Sequence, residues 1–452
     1  MPISPARTAA FDILLRVERD SAYASELLHS GTYKRLSTPD HALATELVMG
    51  VLRWRSRLDD EIARASSQSP SKLDIEVLIA LRLALYQFLW LDRVPQRAAL
   101  HESVELVKRA RKRSAAPFVN AVLRKLSTFA TPHQPSSGNE NSTPENMAKA
   151  FAHPLWLVER WVQEYGFAAT RQICRHNQEI PEAAIRLRTP TAEAELIQEG
   201  ITLRQGGLLA SARFVERGDV TKTQAFHDSK VVIQDEASQL VAALVGETSL
   251  RRGSRILDCC AAPGGKTLAI ADRNPDSVVT AVELHPHRAR LMQKLLPSSA
   301  RIEVVVADAQ HLPTSLPFNR VLADVPCSGT GTLARNPEIK WHLTLDDLAE
   351  LQTRQYAILR SALAQLAPGG RLIYSTCSLE KEENEDVIQR VLEEENPEPL
   401  RVVDCSLELE RLRVDGELIW RDAASLTRGP YLRTIPGVHP CDGFFAAILE
   451  RR

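Results

Sequence analysis

Asp258-Cys259-Cys260-Ala261-Ala262-Pro263-Gly264-Gly265-Lys266-Thr267 follows the apolar strand end Ile256-Leu257 and leads into a helix. A strand, a glycine-bearing turn and a helix open a βα unit, and the sequence downstream repeats the pattern. Residues 278–282, 302–306, 321–323 and 371–374 read as strands. Residues 287–296, 345–366 and 380–395 read as helices, with Pro368-Gly369-Gly370 closing the second, and 443–449 forms a last strand. Repeated βα units predict a parallel, doubly wound, Rossmann-like sheet, whose ligands sit at the C-terminal strand edge.

The loop itself narrows the ligand. A P-loop needs a glycine at position 260, where this chain has Cys260. The three-glycine dinucleotide fingerprint, which lets backbone close on a pyrophosphate, is also absent. A ligand without phosphates suits the loop better, and S-adenosylmethionine is one: adenosine with a charged amino-acid tail. Gly264 and Gly265 allow close backbone approach, and the helix start after them can receive a carboxylate. Glu283 ends the second strand, about where a ribose-binding acid belongs in a Rossmann unit. Asp308 ends the third, where it or its neighbours could meet an adenine edge. Either acid alone would read as a turn or helix-start residue; in register with the loop they read as cofactor acids.

Two cysteines follow the next strand ends, Cys327 in Asp324-Val325-Pro326-Cys327-Ser328-Gly329 and Cys377 in Ser375-Thr376-Cys377-Ser378. A lone cysteine is usually a small buried hydrophobe, but both lie in polar loops at the expected ligand edge. Zinc is the other alternative; the spacing lacks paired Cys-x-x-Cys, and no metal is expected. Thiol chemistry is what carbon 5 of a pyrimidine requires. Adding a thiolate to carbon 6 makes an enamine, and carbon 5 then attacks a methyl sulfonium. An acid at the ring stabilises the developing charge, and a further group must help the carbon-5 proton and the thiolate leave. A free thiol is largely protonated at neutral pH, so such a site must favour the thiolate.

Outward from this core, residues 1–126 read as all-helical, with apolar side chains at three- and four-residue steps in Ala10, Ile13, Leu14, Val17 and in Leu78, Leu81, Leu85, Phe88, Leu89. Ser37-Thr38-Pro39-Asp40 is a helix start. Residues 127–147, with Gln134-Pro135-Ser136-Ser137-Gly138 and Asn139-Glu140-Asn141-Ser142-Thr143-Pro144, have too little apolar surface to offset ordering entropy and read as a linker. The expected organisation is multidomain: an all-α N-terminal bundle over 1–130, a flexible linker over 131–150, a small α+β unit over 151–235, and an α/β Rossmann-like domain over 236–452. Apolar residues make up 44% and charged residues 25%, which is ordinary for a globular chain and excludes wholesale disorder or a fibre. The longest apolar stretch, 77–91, holds Arg82 and falls short of the ~20 residues a membrane helix needs. No signal peptide is expected, and the odd cysteine count of seven predicts the reducing cytoplasm over a disulfide framework. The net charge of −1 identifies no partner, although residues 1–130 carry a basic surplus that hints at a polyanion.

The motifs are recognisable together. Gln234-Asp235-Glu236-Ala237-Ser238, the 261–267 loop, residues 324–331, Pro337-Glu338-Ile339-Lys340-Trp341, residues 374–378 and Asp442-Gly443-Phe444-Phe445 closely resemble the Sun/Fmu-type family of RNA cytosine-C5 methyltransferases. The resemblance implies an S-adenosylmethionine-dependent enzyme that makes 5-methylcytosine, with Cys377 as nucleophile, Cys327 assisting product release, and Asp324 meeting the target base close to the cofactor. It implies a cofactor site of Cys260, Ala261, Ala262, Pro263, Gly264, Gly265 and Lys266, with Glu283, Asp308 and Asp324. Residues 95–102 and 118–124 resemble the NusB-type helical RNA-binding domain, and the middle segment resembles the small RNA-contacting subdomain of the same enzymes. That fusion implies 16S ribosomal RNA as substrate. A monomer is expected, with no membrane or metal partner. Departures are mild. Glu283 stands where aspartate is commoner, Ser229 where glycine is, and Cys259 reads as a packing residue.

Other features read more plainly. The basic run Lys108-Arg109-Ala110-Arg111-Lys112-Arg113 is a solvated helix end or an RNA backbone contact; in the latter case, removing its charge weakens binding and flattens its salt dependence. Trp156 and Trp161 have core spacing, the acids of 380–395 read as a solvated helix face, and His285 and His311 as surface residues. The same chemistry on transfer RNA, or a non-catalytic RNA-binding assembly factor, are the alternatives; a binding module has no need of two cysteines and their acid.

Overall fold

The computed structural model describes residues 3–33, 35–129, 143–246, 253–297, 300–313, 317–394 and 400–451. The chain divides into two compact units: residues 1–180 with 333–342, and residues 181–332 with 343–452. Among the described residues no helix is long and apolar enough to cross a membrane.

The first unit is all helical. Helix Thr38–Arg53 begins where Ser37 Oγ accepts from the Asp40 amide, with Pro39 in its first turn. Helix Ile75–Trp90 is buried over almost its whole circumference and forms the centre of the bundle, against Phe11, Leu14, Leu47, Leu58 and Leu123. Its one cation, Arg82, is 2% exposed. Asp59 accepts from its Nε and Nη2 at 2.7 and 2.8 Å, and Glu18 from Nη1 at 2.8 Å, so the buried charge is fully compensated.

Of the expected linker, residues 131–142 lie outside the described residues, and the remainder is ordered differently. Pro144–Ala150 is a helix, because Thr143 caps it through the Asn146 amide and Met147 and Ala148 are buried. Helix Leu155–His176 kinks at Gly166 and buries Trp161. It packs against Pro144–Ala150, and Gln178 beyond it donates to the Arg53 carbonyl at 3.1 Å. The unit expected over 151–235 therefore lies on both sides of the division at 180/181.

Residues 333–342 also fold with the helices. Lys340 Nζ donates to the Arg53 carbonyl at 3.0 Å, Trp341 Nε1 to the Leu52 carbonyl at 2.6 Å, and Glu338 accepts from the Ala24 amide at 2.9 Å. Lys340 and Glu338 are each 1% exposed.

In the second unit a small antiparallel sheet comes first: β1 (Ala183–Leu187), β2 (Thr202–Gln205), β3 (Ala212–Arg217) and β4 (Val231–Ile233), in the order β2-β3-β1-β4. The main sheet holds β5 (Arg255–Asp258), β6 (Val278–Glu283), β7 (Ile302–Val306), β8 (Phe318–Asp324), β9 (Leu366–Thr376), β10 (Leu400–Val403), β11 (Thr427–Arg428), β12 (Tyr431–Arg433) and β13 (Phe445–Arg451). Its order is β11-β12-β13-β9-β8-β5-β6-β7, with β10 on β13. The five strands from β5 to β9 are parallel, as expected. The last strand, β13, is antiparallel to β9, so the sheet is mixed. β13 follows the β11–β12 hairpin, and without a helical crossover nothing requires a parallel approach. Residues 368–370, expected to end a helix, lie inside β9; helix Leu345–Ala364 stops before it. Strand order reverses between β5 and β8, and the crevice for a ligand opens there.

Candidate active site

The loop after β5 turns at Gly264, whose φ of 106° lies in the left-handed region that favours glycine. A Cβ there would sit 3.1 Å from Met292 Cγ. Helix Gly265–Arg273 starts immediately after. A cavity of about 340 Å³ opens at the switch point, lined by Cys260 and Ala262 after β5, Glu283 after β6, Asp308 after β7, Asp324 and Cys327 after β8, and Cys377 after β9. The volume falls within the range of about 300–1,000 Å³ usual for small-molecule sites.

Cys327 Sγ and Cys377 Sγ are 3.4 Å apart. The Cys377 sulfur and burial both push the Cys327 thiol above the usual cysteine range. Asp324 Oδ1 accepts from Ser375 Oγ at 2.7 Å, and its Oδ2 faces Lys266 Nζ at 2.8 Å. Burial opposes the Lys266 charge, but Asp324, with Cys377 and Asp258 nearby, holds its proton more firmly than usual. Lys266 Nζ also stands 4.9 Å over the Phe444 ring. Glu283 accepts from the His285 amide at 2.8 Å. The Gln310 amide at 2.9 Å keeps the Asp308 carboxyl below its usual range.

The predicted residues do not all face the cavity. Ala261 packs with Ala281 and Met292, Pro263 is exposed, and Gly264, Gly265 and Lys266 are not among the lining residues. Lys266, read as a cofactor residue, pairs with Asp324, the acid beside the cysteines. Cys259 is 1% exposed and packs. Arg288, Arg354 and His285 line the cavity. His285 had read as an ordinary surface residue, and nothing in the spacing of the two arginines marks them.

The acid run of 380–395 departs furthest from its expected role. Helix Glu385–Glu393 covers part of it, but Glu380 and Glu383 are 2% and 0% exposed. The basic run is partly committed: Lys108 pairs with Glu105, Arg109 with Asp12 through both nitrogens, and Lys112 with Asp74. Among the described residues no group of three His, Cys, Asp or Glu could hold a metal ion.

Asp258, at the end of β5, is 1% exposed and accepts from Thr267 Oγ1 at 2.7 Å. Burial outweighs that bond and pushes its carboxyl up from 3.8 to about 6. The native state therefore holds this proton more tightly than the unfolded chain. The stability it contributes is complete below about pH 4 and is lost as pH rises through 6, a swing of ~3 kcal/mol. Asp258→Asn keeps an acceptor for Thr267 and removes the titration. Denaturant unfolding at pH 4, 5 and 6.5 should show the variant gaining about 2 kcal/mol on the parent across that window; parallel curves would refute the assignment.

A sequence profile described as 16S rRNA methyltransferase RsmB/F matches residues 248–450, and one described as the NusB family matches residues 4–128. The chain is 34% identical to "Probable ribosomal RNA small subunit methyltransferase B" of Bacillus subtilis (strain 168), over 100% of both chains. It is 30% identical to "Ribosomal RNA small subunit methyltransferase B" of Vibrio cholerae, over 100% of this chain and 98% of that one. Among solved structures, the crystal structure of PH0851 superposes with a TM-score of 0.78 at 22% identity, covering 100% and 99% of the two chains, which supports the fold.

Proposed function

Because the chain belongs to the RsmB/F family of 16S rRNA methyltransferases, we propose that it methylates carbon 5 of a cytosine in 16S rRNA through a covalent bond between Cys377 and the base. The observation that carries this reading is the pair of sulfurs 3.4 Å apart, opening on one cavity with Asp324. Two thiols and an acid converging on one small-molecule cavity match what pyrimidine carbon 5 demands.

S-adenosylmethionine fits the residues present. Cys260, Ala262, Glu283 and Asp308 share the cavity wall, with carboxylates set to accept from ribose hydroxyls and the adenine edge. Bound there, it supplies an electrophilic methyl group. The chain's own residues do the rest. Cys377 adds to carbon 6, and the ring electrons move towards carbon 5. Asp324, oriented by Lys266 and Ser375, steadies the base as charge develops. After carbon 5 has taken the methyl group its proton passes to solvent water, that bond's electron pair re-forms the carbon 5–carbon 6 double bond, and Cys377 leaves as a thiolate. Cys327 assists that elimination; its thiol, held protonated beside Cys377, also donates towards the thiolate that must form.

The test is labelled methyl transfer to unmodified 16S rRNA and to transfer RNA in parallel, with digestion to nucleosides. Label in 5-methylcytidine from 16S rRNA is the expected result. Label confined to transfer RNA, or to an exocyclic nitrogen, would overturn the reading.

A further inference from the structure

We propose that Glu383 is a positioning residue that fastens the two cysteine loops to each other and so sets the distance between Cys327 and Cys377. The proposal rests on the two-cysteine reaction above and adds a group outside the reacting atoms.

Glu383 ends the short turn Lys381–Glu383 and is 0% exposed. Its Oε1 accepts from the Ser328 amide at 2.7 Å and from Gln355 Nε2 at 2.8 Å. Its Oε2 accepts from Ser378 Oγ at 2.5 Å and from Ser328 Oγ. Ser328 follows Cys327 and Ser378 follows Cys377, so one carboxylate holds the residue after each sulfur. The two serine oxygens are themselves 3.1 Å apart. Gln355 extends the clamp, because its amide also donates to the Pro326 carbonyl at 3.0 Å, just before Cys327. Tyr374 Oη anchors the turn from the sheet by donating to the Glu383 carbonyl at 2.6 Å.

A carboxylate taking four donors in a dry site is strongly directional, and it leaves those donors orphaned if it is lost. No other described group bonds to both serines in this way. Neither sulfur is held by a rigid strand residue; each lies one or more residues beyond its strand end. The clamp therefore supplies what the strands do not, a fixed separation between two loops. Misplacing reacting groups by about 1 Å costs on the order of 100-fold in rate.

Glu383→Gln tests this with two readouts. One is methyl transfer to 16S rRNA. The other is diamide oxidation of the full-length protein, followed by peptide mapping of the Cys327–Cys377 disulfide; it reads sulfur proximity without any turnover. Removing a negative charge near Cys327 favours its thiolate and would by itself speed oxidation, so slowing reports geometry. The expected result is kcat lower by about 10–100-fold, KM within about threefold, and disulfide trapping slowed by about tenfold. Trapping at the parent rate overturns the proposal, whatever the methylation rate. Slowed trapping with undiminished methylation overturns the two-cysteine reaction and leaves the clamp standing. Should Glu383→Gln fail to fold, Gln355→Met removes one donor and spares the carboxylate. Trapping slowed about threefold is then expected, and an unchanged rate overturns the proposal.

Discussion

Cys377→Ala should abolish methyl transfer, a loss of about 10⁴-fold or more, whereas Cys327→Ala should leave 16S rRNA covalently attached to the protein. The asymmetry follows from the roles proposed for two sulfurs that lie 3.4 Å apart. Without Cys377 no bond to carbon 6 forms, and carbon 5 stays a poor nucleophile. Without Cys327 the bond forms and the methyl group is accepted, but the elimination that frees the base loses its helper. Denaturing electrophoresis with labelled RNA separates the cases. A slow-migrating band is expected in Cys327→Ala and in neither Cys377→Ala nor the double variant. If Cys327→Ala behaves like Cys377→Ala, the division of labour is wrong. A band in Cys377→Ala would move the nucleophile elsewhere.

Gly331→Ala should be nearly as damaging, although Gly331 does not line the cavity. The two cysteine loops meet through its backbone: its amide donates to the Cys377 carbonyl at 2.9 Å, and its carbonyl accepts from the Gly443 amide at 2.8 Å. A Cβ at Gly331 would lie 2.1 Å from the Gly443 oxygen and 2.9 Å from the Cys377 oxygen. Both obstacles are backbone and cannot rotate away, so the loop carrying Cys377 must move. A loss of about 3 kcal/mol in stability and of about 100-fold or more in methyl transfer is expected, read by denaturant unfolding and by the 16S rRNA assay. A variant with parent-like activity would show that the loops tolerate separation.

Much of the site could be read from the chain because it sits at strand ends. A parallel sheet carries the residue after each strand to one edge, so Cys260, Glu283, Asp308, Asp324, Cys327 and Cys377 were predictable neighbours once the strands were found. The loop motif shows Lys266 but not its partner: Asp324 comes from a different strand, and only folding reveals the pairing. Glu383 was hidden by its company. An acid-rich stretch reads as solvated when its residues are averaged, but the helix begins at Glu385 and the turn before it points inward. The linker's end is masked for a similar reason: polar composition runs on through Thr143-Pro144, which is also a cap and a helix start. Arg354 carries no signal, since an arginine on a long helix can face any direction.

The excursion of residues 333–342 has a consequence for how such a chain could be dissected or reshaped. Written in sequence, the helical bundle looks like a prefix that deletion at the linker would trim away. In space, the polypeptide that carries Cys327 runs on into that bundle before coming back to build β9. A truncated product beginning near residue 181 would present a naked Lys340, Glu338 and Trp341 to water with nothing to cover them. Removing the bundle therefore calls for redesign of this short detour as well, since its buried side chains have their partners there.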